Sequence, residues 1–328
     1  MEPHQVIAEL IQRQGGLAAL DRLHLPYARA NAGPAAKFGL AVELFLPDID
    51  RAVLRERAAQ FLSDYWQTFP ERVNALLLRD KRRAVKFSGD PSAQLRADLD
   101  KYPIDSGYSG ALFGAVDIGL PNDDIPPYQA SVLISRREEH ELSFVCATFP
   151  ICQDDIPRFE LLLTLVLRWC ELCQPVHGSA GYALLFAPGM QQNTAQALSL
   201  IKRFPGLDIL NSPRFSLETG AVHDRIKSVN WLTVLNDDLV QQSGGLDAMR
   251  AALEPFCKVR TYSGGVVIQA GIDPQLGDLQ TGNIAEAYRQ VARHLQPLRF
   301  ENYRDGLFRV PSGLDAITET LSWLRRFD

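Results

Sequence analysis

Between Ile226 and Asp278, β-branched runs and turn signals alternate so closely that the segment must form strands with antiparallel neighbours. Ile226–Leu235 reads as a buried strand, broken by Asn236-Asp237-Asp238. Ser243-Gly244-Gly245 and a short helical pattern ending near Pro255 come next. Lys258–Tyr262 and Gly265–Ala270 read as two strands joined across Ser263-Gly264, a turn tight enough to specify a hairpin. Gly271–Asp278, carrying Pro274 and Gly277, is a turn-rich exit. With a helical pattern over 283–295 and a strand-like run over 298–304, residues 226–304 spell β-α-β-β-α-β.

The same order occurs once before. Phe38–Leu46 is strand-like, and Asp48 or Asp50 stands where a helix to about Phe69 needs its cap. Ala52, Leu54, Ala58, Phe61, Leu62 and Tyr65 share one face of that helix, which must pack on a sheet. After an insertion come two strands, Tyr128–Ser135 and Leu142–Phe149. A helix capped by Asp155, with Pro157 in its first turn, then runs to Cys173 and is followed by a strand at Gly181–Ala187. The expected fold is α+β: two ferredoxin-like halves in tandem, with largely antiparallel sheets covered by helices. The hairpin 257–270 should be central to the second half. The expected divisions are an N-terminal helix and lead-in (1–37), a first half with an insertion at 71–126 (38–190), a connecting helix and loop (191–225), and a second half with a C-terminal helix (226–328).

Composition limits what such a chain does. With 328 residues, 46% of them apolar and 22% charged, it can bury a sizeable core and is not disordered. A net charge of −5 argues against nucleic acid or an anionic membrane as the main partner. The apolar stretch Leu161–Leu167 is too short to span a bilayer, and Met1-Glu-Pro-His lacks the features of a signal peptide. A cytoplasmic location is therefore expected. The five cysteines (146, 152, 170, 173, 257) then read as reduced thiols, and Cys170-Glu-Leu-Cys173 as two buried positions on a helix.

No motif for catalysis stands out. Gly107-Tyr-Ser109-Gly-Ala111 nearly spells a nucleophile elbow, but it ends in Ala, has no strand leading into it, and reads as a turn. Gly244-Gly245 and Gly264-Gly265 lack the spacing and the lysine of a phosphate loop. The six histidines are scattered without metal-ligand spacing. No cofactor is expected. Asp273 and Asp278 flank a Pro-Gly loop and could hold a cation, giving a metal-dependent or hydrolytic enzyme as the alternative; turn residues bonding their own backbone explain them more simply. A scaffold protein is a third reading.

Val229-Asn-Trp-Leu-Thr233, Gly244-Gly245, Val267-Ile-Gln-Ala-Gly271, Pro274 and Leu276-Gly-Asp278 resemble the hallmarks of the type VI secretion immunity family. Gly181-Tyr-Ala, Arg203-Phe-Pro-Gly-Leu-Asp208, Tyr288 and Pro297-Leu-Arg299 fit the same pattern. The resemblance implies a non-enzymatic immunity protein that binds and occludes a cognate toxin. In that family the toxin is a nuclease with a restriction-endonuclease-like core.

One segment suits such a partner. Pro103–Pro126 holds Asp105, Asp117, Asp123 and Asp124 but no Lys, Arg or His. It also holds four glycines and three prolines, as a long adaptable loop would. Its carboxylates would face a basic cleft, with Tyr108 and Phe113 as aromatic anchors. The alternative is a solvated insertion. An uncovered sheet face would instead favour a homodimer.

Overall fold

The structure is a computed structural model that describes residues 17–26, 34–81, 83–114, 125–136, 141–187, 194–220 and 222–328. β1 (His24–Pro26) pairs with β2 (Pro34–Leu46), the longest strand, which is buried almost throughout. β3 (Val73–Leu77), β4 (Val85–Lys86), β5 (Tyr108–Gly114), β6 (Gln129–Ile134) and β7 (Ser143–Phe149) follow. A small hairpin of β8 (Cys152–Gln153) and β9 (Ile156–Pro157) stands apart from them. β10 (His177–Leu185), β11 (Asp208–Ile209), β12 (Leu232–Asn236), β13 (Cys257–Tyr262) and β14 (Gly265–Ala270) complete the strands.

All but β8 and β9 join one sheet in the order β13-β14-β12-β10-β2-β7-β6-β5-β3-β4. β1 pairs with the start of β2, which β7 leaves free, and β11 pairs with β10 past the end of β12. Every pairing in this sheet is antiparallel except β10 with β11.

Strand alternation sorts β2 onto two faces. Leu40, Val42 and Leu44 point one way, while Glu43 and Phe45 point the other, towards Ser212 and Phe215. The helix Arg51–Thr68 starts at Asp50, whose Oδ1 accepts from the N–H groups of Ala52 and Val53 at 2.9 and 3.2 Å. It packs on the helix Phe159–Cys173 through the Phe61 and Trp169 rings, 5.0 Å apart, and Trp169 Nε1 donates to Asp64 at 2.7 Å. The Tyr65 hydroxyl donates to the Thr148 carbonyl at 2.7 Å, fixing the first helix on β7.

The α+β class and antiparallel pairing hold, but two complete tandem units do not form. β10 pairs with the edge of β12, His177–Ala180 opposite Leu235–Leu232, so a closing strand of the second half has no edge to join. Residues 296–298 form a 3₁₀ turn instead, and only the parallel bridge of Ile226 to Arg299 remains beyond it. The hairpin 257–270 lies at one side of the sheet, with β13 at the edge and β14 between β13 and β12. The stretch 204–225 is more than a loop, since it holds β11 and the helix Ser212–Thr219. Asp155 does not cap a helix: it sits in the β8–β9 turn at φ +63°, and the helix starts at Phe159. The helical pattern at 3–14 lies outside the described residues.

A buried polar cluster ties residues 208–230 to the sheet. Lys227 Nζ donates to Glu43 Oε2 at 2.6 Å and to the Ile209 carbonyl at 2.9 Å, and lies 3.7 Å from Asp208. Ser212 donates to the other oxygen of Glu43. Ser179 (3.2 Å), Asn230 (3.5 Å) and the Ile209 N–H (2.7 Å) all donate to Asp208. Asn230 lies directly over Gly181, where a Cβ would come within 2.3 Å of its Oδ1. Burial pulls the Lys227 ammonium down, but Glu43 and Asp208 together hold it above its ordinary value, so it stays charged.

Removing one member leaves the other ion buried without its closest partner. Glu43→Leu or Lys227→Met alone should cost about 3–5 kcal/mol in urea unfolding. Glu43→Leu combined with Lys227→Met should cost much less than the two singles added, because Asp208 keeps three donors.

His177 is 2% exposed and stacked on Phe45 at 4.6 Å, and its Nε2 finds no partner among the described residues. Burial, then the charges of Lys227 and His223, lower it to about 3. Between that value and the unfolded one of about 6.5, the unfolded chain binds the extra proton, so stability falls as pH falls. Unfolding free energy should drop between pH 7 and 5 by up to about 1.4 kcal/mol per pH unit from this group. His177→Phe, which keeps a ring against Phe45, should flatten that slope.

Candidate functional site

Of the residues expected to meet a partner, Asp117, Asp123 and Asp124 lie outside the described residues. The others are placed differently from one another. Asp105 is exposed in the turn before β5. Tyr108 and Phe113 are not loop anchors: both belong to β5, at 1% and 7% exposure. Five residues apart in a strand, they face opposite sides of the sheet. Tyr108 joins the main core, with its hydroxyl 3.2 Å from Asp98, while Phe113 packs with Ala75 and Ala111. Gly107–Ala111 is accordingly no turn but mostly the start of β5, with Ser109 exposed on it.

The turn at Asp105 is not purely acidic in space. Arg55, on the helix Arg51–Thr68, donates to the carbonyls of Leu99 (3.3 Å), Tyr102 (2.9 Å) and Ser106 (2.8 Å), and to that of Pro103. Arg79 lies over the Tyr102 ring at 4.4 Å and donates to Ser106 Oγ at 3.0 Å. Asp100 and Asp105 both stabilise the Arg55 charge against its burial. The segment thus folds around two cations contributed from elsewhere, which no local count of charges could reveal. What results is a pinned turn exposing Ile104 and Asp105.

Two other features could receive a partner. A groove of about 700 Å³ runs between Val222–Asp224 and the helix Asp237–Gln242, with Asp224, Asp238 and His223 on its walls. Burial lowers the His223 imidazole against the pull of Asp48 and Asp224. A smaller recess of about 70 Å³ opens on the sheet face of β6 and β7, between Gln129, Ser131, Thr148 and Cys146 and the covering residues Leu210, Ser212 and Pro213.

Among the described residues, burial raises the thiols of Cys146, Cys170 and Cys173, and an arginine occupies one of the two candidate acids. Cys146 lies 2.8 Å from Ser212 Oγ, and burial, then the Glu43 charge, raises its thiol, the reverse of what a nucleophile needs. Burial likewise pushes Cys173 up to about 12 and Cys170 upward as well. Asp273 and Asp278 do not assemble as metal ligands. Asp278 instead accepts from Arg203 Nε at 3.1 Å and Nη2 at 2.9 Å, and from the Gln280 N–H at 3.0 Å. The Arg203 bonds hold it below the usual carboxylate range. Among the described residues no group of three or more His, Cys, Asp or Glu could hold a metal ion, and no helix is long and apolar enough to cross a membrane.

Comparison with known proteins agrees with the resemblance noted around Ile226–Asp278. A solved structure described as Pseudomonas aeruginosa T6SS protein PA0821 aligns with 100% of this chain and 92% of its own, with a TM-score of 0.80 at 22% identity. That likeness shows the fold. No curated protein matches the chain. The family described as "TsiV: Type VI immunity for VRR-NUC" matches residues 76–327, from just before the end of β3 to the penultimate residue. The chain belongs to this family of type VI immunity proteins.

Proposed function

We propose that this chain binds a VRR-NUC nuclease delivered by a type VI apparatus and neutralises it by covering it, without a reaction of its own. The match to the immunity family over residues 76–327 carries this reading. Physical chemistry supports it. A nuclease holds a polyanion and presents a cationic surface, whereas this chain carries a net charge of −5. The acidic groove beside His223 adds to that field. The thiols raised by burial and the aspartate taken by Arg203 suit a binding protein better than a hydrolase. Such an inhibitor protects the compartment in which the toxin acts, which we place in the cytoplasm.

Purified chain added to its cognate VRR-NUC toxin should stop DNA cleavage at a one-to-one ratio, and co-expression should rescue cells producing the toxin. Full cleavage at a tenfold excess of chain would sink the proposal. The acidic segment 103–126 then steers the encounter through Asp105, Asp117, Asp123 and Asp124. Replacing Asp117, Asp123 and Asp124 by Asn should slow association at low salt by roughly tenfold and flatten its salt dependence. Dissociation should be nearly unchanged. An association rate equal to that of the unaltered chain at every salt concentration would remove the segment from the interface.

A further inference from the structure

The sheet ends at β13, which pairs with β14 alone. The Gly271 N–H donates to the Phe256 carbonyl at 3.2 Å, and that rung sets the alternation of the ladder. Lys258, Arg260 and Tyr262 therefore turn their backbone groups to β14. The N–H and carbonyl groups of Val259 and Thr261 turn to the open side, where none of the four has a partner among the described residues. Lys258 and Thr261 are exposed and Val259 and Arg260 half-buried, so water reaches this edge. Such an edge is a template for one more strand.

Charge decides which strand. Lys258 and Arg260, two residues apart, lie on one face of β13. Lys258 has no ion pair among the described residues, and Arg260 donates to the neutral Gln269 Oε1, from Nε at 3.2 Å and Nη2 at 3.1 Å. The carboxylates of this region stand past the ends of the ladder. Glu254 and Asp273 lie beyond the Phe256–Gly271 rung, and Glu171 accepts from the Ser263 N–H at the turn, at 3.1 Å. A second copy of this chain is the wrong occupant. In a two-fold antiparallel pair, opposing Val259 to Cys257 sets Lys258 on Lys258. Opposing it to Val259 sets Lys258 on Arg260, and opposing it to Thr261 sets Arg260 on Arg260. Like charges directly opposite destabilise a strand pair, and opposite charges stabilise it. A strand with Asp or Glu at alternate positions meets both cations.

We propose that the open edge of β13 receives an extended segment of the nuclease toxin with carboxylates at alternate positions, which joins the sheet as an added strand. This rests on the immunity reading and adds the place and manner of contact. The net charge of −5 acts on the approaching toxin at long range. Lys258 and Arg260 act on the residues directly opposite, and so set the register. β14 and β12 behind β13 hold the edge in its bound shape, which lowers the entropic cost of docking.

The test is amide hydrogen exchange and binding kinetics of the full chain with its purified cognate VRR-NUC toxin. The Val259 and Thr261 amides should exchange fast in the free chain and be protected roughly 100-fold in the complex. Thr261→Pro removes an outward donor and no bond to β14, so the variant should keep its circular dichroism. Its complex should dissociate at least about tenfold faster. Lys258→Glu/Arg260→Glu, which sets carboxylates against carboxylates, should weaken binding by at least about tenfold. If the unaltered chain binds and inhibits while both amides stay unprotected, or while both variants change dissociation less than threefold, the added strand is overturned and the immunity reading stands. No binding by the unaltered chain overturns both. Should Thr261→Pro fail to fold, amide exchange and the charge-reversed variant decide between the same outcomes. A dimer of the unaltered chain in light scattering that Thr261→Pro converts to monomer would make a second copy the occupant, and would overturn the proposal.

Discussion

The contact between Lys227 and Glu43 decides how this chain closes. Glu43 belongs to the longest strand, in the middle of the sheet, and Lys227 to the irregular run that leads into β12. Both side chains are at most 2% exposed, so neither charge can be hydrated, and each requires the other in place. Their geometry settles where residues 208–230 lie. β11 then reaches the edge of β10, the helix Ser212–Thr219 sets Phe215 against Phe45, and Asn230 settles over Gly181. An all-apolar contact of the same size could be as stable, but it would tolerate sliding. The ions and their donors accept one register.

That register joins what would otherwise be two sheets. β10 lies between β2 and β12 and is antiparallel to both, so the strands before and after it share one ladder. The cost falls on the far end of the second half, where the run after Leu298 has no strand edge left. Its side chains dock instead. Arg299 binds Asp328 at 2.8 Å and Glu301 at 2.7 Å, and Arg326 donates to the carbonyls of Pro205 and Val229 at 2.7 and 3.0 Å. The C-terminal turns thereby replace the missing strand as the closure of this side.

Much of this was legible because it is local. The β13–β14 hairpin follows from Ser263-Gly264 between two β-rich runs, and the helix 51–68 from Asp50 and its apolar stripe. The strand lost at 298–304 and the reach of β10 to β12 depend on which of several edges is free, a competition among residues tens of positions apart. The misplacement of Tyr108 and Phe113 has a similar origin. Glycines at 107, 110 and 114 suggest a loop, yet two of them admit close neighbours: a Cβ at Gly107 would meet the Ile134 carbonyl at 2.7 Å, and one at Gly114 the Arg72 carbonyl at 2.7 Å. These glycines mark crowding within a sheet, not freedom. The cations of Arg55 and Arg79 were equally out of reach, because they arrive from other elements.

Two exposed turns are fixed by side chains that come from packed elements. The turn at Asp105 is held by four carbonyl bonds from Arg55, and the turn at Ile272 by Trp231 and Gln269. In both, side chains from well-packed elements fix the backbone, and at the first turn exposed Asp105 also stabilises the Arg55 charge. The backbone at these turns therefore follows from the packed elements that supply the donors, Gln269 from β14 and Arg55 from the helix Arg51–Thr68, and it stays in place only while those elements do.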